Sequence, residues 1–137
     1  MVVYCKSIKG YNNFSDTFKI GLKIKIKNIF SSIVFNKNNV NAENHTIYYG
    51  VTISKKLIKR AIIRNKVKRL LRESIRLLLK EFEITDLIFL DRVILSWQIV
   101  VNHPKEISLN DVMPSVKLIF ERALNIYKKK NNITTKK

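Results

Sequence analysis

Between Lys59 and Phe82 apolar residues recur at helical spacing while most other positions are cations, so this stretch must form one helix with two unlike faces. At about 100° per residue, Ile63, Val67, Leu70, Leu71, Ser74, Ile75, Leu77 and Leu78 fall within an arc of roughly 160°. Arg64, Lys66, Lys68, Arg69, Arg72 and Arg76 fill the opposite arc, and only Ile62 and Leu79 sit on the wrong side. Asn65, Arg69, Arg72 and Arg76 step by four, three and four, which lines them up as one outward ridge. A merely solvated face interleaves Glu with Lys, whereas Arg60, Arg64, Lys68, Arg72, Arg76 and Lys80 stack like charges. Each such neighbour costs a few tenths of a kcal/mol in an isolated helix, a cost that phosphates would offset. Asn65, among the cations, has donors and an acceptor for a base edge or a ribose hydroxyl.

The same imbalance runs through the chain: 27 Lys and Arg against 10 Asp and Glu give a net charge of +17 in 137 residues. Such a field calls for a polyanion, with nucleic acid ahead of an anionic membrane or an acidic protein. A membrane-surface helix favours Trp or Phe at its apolar boundary, and this one has none before Phe82. No apolar run approaches the length of a signal segment or a membrane span, which points to a cytoplasmic protein with no membrane partner. Cys5 stands alone, so no internal disulfide can form, and His45 and His103 lack companions at metal-site spacing. No nucleophile, acid–base pair or metal cluster is visible, so no catalytic or metal-binding residue is named.

Around the basic helix the expected order is helix, strand, strand, strand, helix, strand, helix, with the sheet covered on one face. Phe14, Phe18 and Leu22 recur four apart, for a short helix capped by Asn12 or Asn13 and ended by Gly21. Lys23–Lys27 alternates basic and apolar as a strand with one wet face, and Ile29–Phe35 continues as strand. Five asparagines between 36 and 45 predict a turn, and Thr46–Ser54 its partner strand, interrupted by Gly50. Residues 83–95 fit either a helix extension or a loop. Trp97–Val101 has strand character. Ser108 and Asp111 form a capping-box pattern for a last helix along Val112, Val116, Ile119, Ala123 and Tyr127, whose first turn Pro114 leaves open. Residues 1–127 are expected to make a single domain, and 128–137 a disordered basic tail.

Val51-Thr52-Ile53-Ser54-Lys55-Lys56, then Ala61-Ile62-Ile63-Arg64-Asn65-Lys66-Val67-Lys68-Arg69-Leu70-Leu71-Arg72-Glu73, resembles the signature of the bacterial ribonuclease P protein subunit. There a strand ending Ser-Lys-Lys leads into a helix carrying Arg-Asn-Arg. Here Lys66 replaces the second Arg, the gap Leu57–Arg60 is one residue longer and lacks the family's glycine, and Asn102-His103-Pro104 replaces Ala-Arg-Pro. The resemblance implies a small α+β sandwich: a four-stranded sheet with packed helices and a left-handed βαβ crossover. It implies an accessory subunit of an endoribonuclease that removes the 5′ leader of precursor tRNA, the chemistry being carried by RNA-held Mg2+ in a catalytic RNA. The partners are that RNA and precursor tRNA, with no obligate protein partner. Arg60, Arg64, Asn65, Lys66, Lys68, Arg69, Arg72 and Arg76 would meet the catalytic RNA. Phe14, Phe18, Thr52, Lys55 and Lys56 would meet the leader in a cleft between the first helix and the sheet, with an aromatic from Phe30 or Phe35. Phe14 and Phe18 serve equally well as core residues. A ribosomal or nucleoid-type protein would explain the charge but not leader removal.

Overall fold

A computed structural model describes residues 2–36 and 44–135. In chain order its elements are β1 (Val2–Ser7), α1 (Tyr11–Ile20), β2 (Leu22–Ile26), β3 (Ile29–Phe35), β4 (Asn44–Ile53), α2 (Ala61–Glu81), α3 (Ile84–Leu87), β5 (Leu90–Trp97) and α4 (Leu109–Thr135). The basic amphipathic stretch folds as α2. Ile63, Val67, Leu70, Leu71, Ser74, Ile75 and Leu78 are buried along it, while Leu77 and Leu79 are half-buried and Ile62 is exposed. Ser74 is tolerated in that interior because its hydroxyl donates to the Leu70 carbonyl at 2.8 Å.

The strands lie in the order β1-β4-β5-β3-β2. β1, β4 and β5 run parallel, and β5–β3 and β3–β2 are antiparallel. α2 and α4 pack against each other and on one face of the sheet. Ile29 and Ile33 of β3, Ile47 of β4 and Val93 and Leu95 of β5 join their apolar sides in one core. On the opposite face α1 crosses β3 and β5. Its seat depends on two glycines. A Cβ on Gly50 would lie 2.6 Å from the Phe14 ring, and one on Gly21 would lie 2.0 Å from Ser32 Oγ. Strand and helix approach this closely because side chains are missing there.

Several expectations change. The sheet has five strands, not four: β1 is a six-residue edge strand whose short, half-wet sequence carries little periodic signal. Helices lie on both sheet faces rather than one. Gly50 does not interrupt β4, which is continuous and begins at Asn44. Residues 37–43 of the asparagine-rich stretch lie outside the described residues. Residues 83–95 hold the single turn α3 and most of β5, and the strand expected at Trp97–Val101 instead spans Leu90–Trp97, so that residues 98–101 lie outside it. The physical reason is position: β5 is central and covered on both faces, so Val93, Ile94 and Leu95 are all fully buried and no alternation survives. Gly10, not Asn12 or Asn13, precedes the first residue of α1. Asp111 accepts from the Ser108 backbone N–H at 2.8 Å at the start of α4, as the capping pattern expects, and Pro114 lies inside the helix. That helix continues through Thr135, where an unstructured tail was expected from 128. Lys128 is held 3.5 Å from Asp86, and Lys and Asn residues continue a helix already anchored by Phe120 and Ala123.

Candidate nucleic-acid interface

α2 is fixed at its start by its own side chains. Ile58, fully buried, anchors the preceding loop, and Arg64 Nη1 donates to the carbonyls of Ile58 at 2.9 Å and Lys59 at 2.6 Å. Lys66 Nζ donates to the Pro104 carbonyl, tying α2 to the turn before α4. Arg64 and Lys66 are therefore half-buried and partly engaged, and Lys68 is half-buried beside them. Arg60, Asn65, Arg69, Arg72 and Arg76 are exposed, and the last four form the ridge their spacing predicts. No carboxylate among the described residues pairs with any cation of this row. Ion pairs such as Glu81–Lys117, at 3.9 Å, lie elsewhere. Asn65, Lys66 and Arg69 border an open cavity of about 390 Å³ with exposed Ile62 and half-buried Pro104. The face is thus cationic, uncovered and uncompensated, with one amide and an apolar pad inside it.

The second surface lies on the α1 side of the sheet. Phe14 and Phe18, both half-buried, point from α1 to the strands: Phe14 covers Gly50, and Phe18 meets the Phe30 ring at 5.9 Å. Of the two candidate rings, Phe30 is therefore the one that faces α1. Phe35 faces the other way, with Phe89 at 5.7 Å and Tyr127 at 5.5 Å. The C-terminal end of α1 is clamped. Ser32 Oγ donates to the Thr17 carbonyl at 3.0 Å, and Lys23 Nζ donates to the carbonyls of Phe18 and of Gly21, the latter at 3.1 Å. Lys23 also lies 5.1 Å from the Phe18 ring centre, so a cation and two aromatic rings share this edge. Thr52 is on the same face, half-buried and in register with Ser96 of β5.

Lys55 and Lys56 are exposed in the turn after β4. Lys56 borders a cavity of about 310 Å³ that it shares with Lys59, Arg60 and Val100. Residues expected on two separate surfaces thus meet at one place. Lys59 was not singled out from the sequence although it lies in the same basic run. Arg92 was also missed: its guanidinium reaches Thr17 Oγ1 at 3.2 Å on the α1 face, but it falls in the stretch whose strand could not be read. Cys5 faces the other side, packed against the core, where burial pushes its thiol up to about 11 against the pull of the Arg76 guanidinium. Among the described residues no three His, Cys, Asp or Glu side chains converge where they could hold a metal ion. No helix among them is long and apolar enough to cross a membrane.

Fold and surface together define a class: a mixed α+β protein with an open cationic helix on one side of its sheet and a short helix laid over aromatic rings on the other. The chain belongs to the ribonuclease P protein family, whose sequence profile, described as Ribonuclease P, matches residues 4–107. The ribonuclease P protein component of Rickettsia bellii (strain RML369-C) is 34% identical over 77 residues, covering 56% of this chain and 64% of that one. The chain therefore matches slightly under two thirds of that relative's length. The corresponding protein of Haemophilus influenzae (strain PittGG) is 34% identical over 87 residues, covering 56% of this chain and 70% of its own. The solved structure of the Staphylococcus aureus RNase P protein superposes with a TM-score of 0.60 at 21% identity, covering 85% of this chain and 94% of that chain. That likeness shows the fold.

Proposed function

We propose that this protein is the accessory subunit of a ribonuclease P. In this reading it docks on the catalytic RNA through α2 and holds the single-stranded 5′ leader of precursor tRNA in the α1 cleft. One observation carries the proposal: the ridge Asn65, Arg69, Arg72 and Arg76 is exposed and meets no carboxylate among the described residues. Folding gains nothing from such a row, whereas a phosphate backbone offsets its self-repulsion and releases counterions. Arg60 and Lys68 extend the same contact, while Arg64 and Lys66 brace the loops that flank it.

The cleft supports the second half. Phe14, Phe18 and Phe30 offer ring faces, Thr52 a hydroxyl, and Lys55 and Lys56 charge at the exit, which suits unpaired nucleotides with a π-face at every base and a phosphate at every linkage. The protein's share is positioning and charge screening. Magnesium ions bound by the RNA supply the hydrolytic chemistry in this reading, and the place of action is the cytoplasm. The left hand of the β4–α2–β5 crossover belongs to the same family expectation. The test mixes the purified protein with a bacterial ribonuclease P RNA and precursor tRNA at low magnesium. Faster leader removal is expected; cleavage no faster than with RNA alone would leave a general RNA-binding protein of ribosomal type.

A further inference from the structure

We infer that the sheet face beyond α1, built by β1 and β4, is a second stacking platform for single-stranded RNA, taking leader nucleotides farther upstream than those beside Phe18. This rests on the leader-binding reading of the cleft. β1 lies parallel to β4 with Tyr4 in register with Thr46 and Lys6 with Tyr48. Val3 and Cys5 pack against the core on the α2 side, so Tyr4 and Lys6 point to the α1 side. Tyr48 shares that side, two residues before the Gly50 on which Phe14 sits. Tyr4 and Tyr48 are thus diagonal neighbours on adjacent strands, 46% and 39% exposed.

Beside Tyr48 opens a cavity of about 330 Å³ bordered by Lys9, Asn13, Asp91 and Arg92. Arg92 is held in place by buried Thr17, at 3.2 Å, and pairs with Asp91 at 3.6 Å. Lys6 and Lys9 remain exposed with no carboxylate partner among the described residues. Two exposed rings, Tyr4 on the edge strand β1 and Tyr48 on its neighbour β4, are a liability unless a ligand uses them. Interleaved with Lys6, Lys9 and Arg92, they match the repeating base and phosphate of an unpaired strand. The platform continues the face that holds Phe14, Phe18 and Phe30, with α1 crossing between, so one extended strand can engage both.

The test compares holoenzymes reconstituted with the full chain and with its Tyr4→Ala/Tyr48→Ala variant. Each binds two precursor tRNAs, one whose leader ends at the Phe18 cleft and one with a leader several nucleotides longer. The variant is expected to bind the long-leader precursor about tenfold more weakly and the short-leader precursor unchanged. Equal losses on both would move the tyrosines to another partner, and no loss on either would remove the platform; both outcomes overturn the inference. Tyr4→Phe/Tyr48→Phe keeps the rings and should bind as the unaltered chain does, so a loss matching the alanine pair overturns stacking as the cause. Phe18→Ala separates the two readings: it is expected to weaken both precursors, and if neither responds the cleft assignment fails instead.

Discussion

The two faces of the one sheet are put to different uses. The face under α2 and α4 is lined by Ile29, Ile33, Ile47, Val93 and Leu95, all fully buried, and its few buried polar side chains among the described residues have hydrogen-bond partners. The face under α1 carries Phe30, Ser32, Thr52, Tyr48 and Arg92, much of it half-exposed, with one short helix laid across it. A dry face of branched aliphatics supplies cohesion; the wet one, relieved of that task, can hold rings and cations for a ligand. α2 repeats the division on one helix, with Leu71 and Ile75 inward and Arg69 and Arg72 outward.

Breaking the dry face should cost the most. Leu71→Ala is expected to lower stability by about 2–5 kcal/mol in urea denaturation, because a fully buried side chain is lost beneath α2. Gly50→Ala strikes the contact between α1 and the sheet. Its Cβ would sit 2.6 Å from the Phe14 ring, so a loss of about 1–3 kcal/mol is expected, together with weaker leader binding in the holoenzyme. Ser32→Ala removes the hydroxyl that holds the Thr17 carbonyl and should cost about 1 kcal/mol by the same denaturation assay, since Gly21 N–H still satisfies that carbonyl at 3.1 Å.

The smallest effect is in pH. The Cys5 thiol is raised from 9.0 to about 11, mainly by burial, so between those values the folded state keeps a proton that the unfolded chain loses. This group's contribution to stability therefore falls as pH rises through that window. The urea midpoint of the unaltered chain should decline more steeply there than that of Cys5→Ala.

Legibility followed periodicity. α2 could be read almost residue by residue because its two faces differ in kind, and the Ser108–Asp111 cap is a local signal that needs no tertiary context. β5 could not be read, because a strand covered on both faces loses its alternation, and Arg92 was hidden with it. The ring opposite Phe18 waited on register: Phe30 and Phe35 lie five apart on one strand, and only the pairing of Phe30 with Lys25 turns one to α1 and the other to the core. β1 was missed because an edge strand with Tyr4 and Lys6 outward looks like any polar lead-in. The pull of Lys66 toward Pro104 joins residues 38 apart in sequence, beyond any local pattern.

The most direct measurement of the central claim is a salt titration of holoenzyme assembly with Arg69→Ala/Arg72→Ala. If α2's outer row meets phosphates, assembly weakens and the slope of log affinity against log salt falls by about one for each arginine removed. Unchanged affinity with an unchanged slope would show that the row faces solvent in the complex, and the account of this helix as the RNA-docking element would be wrong.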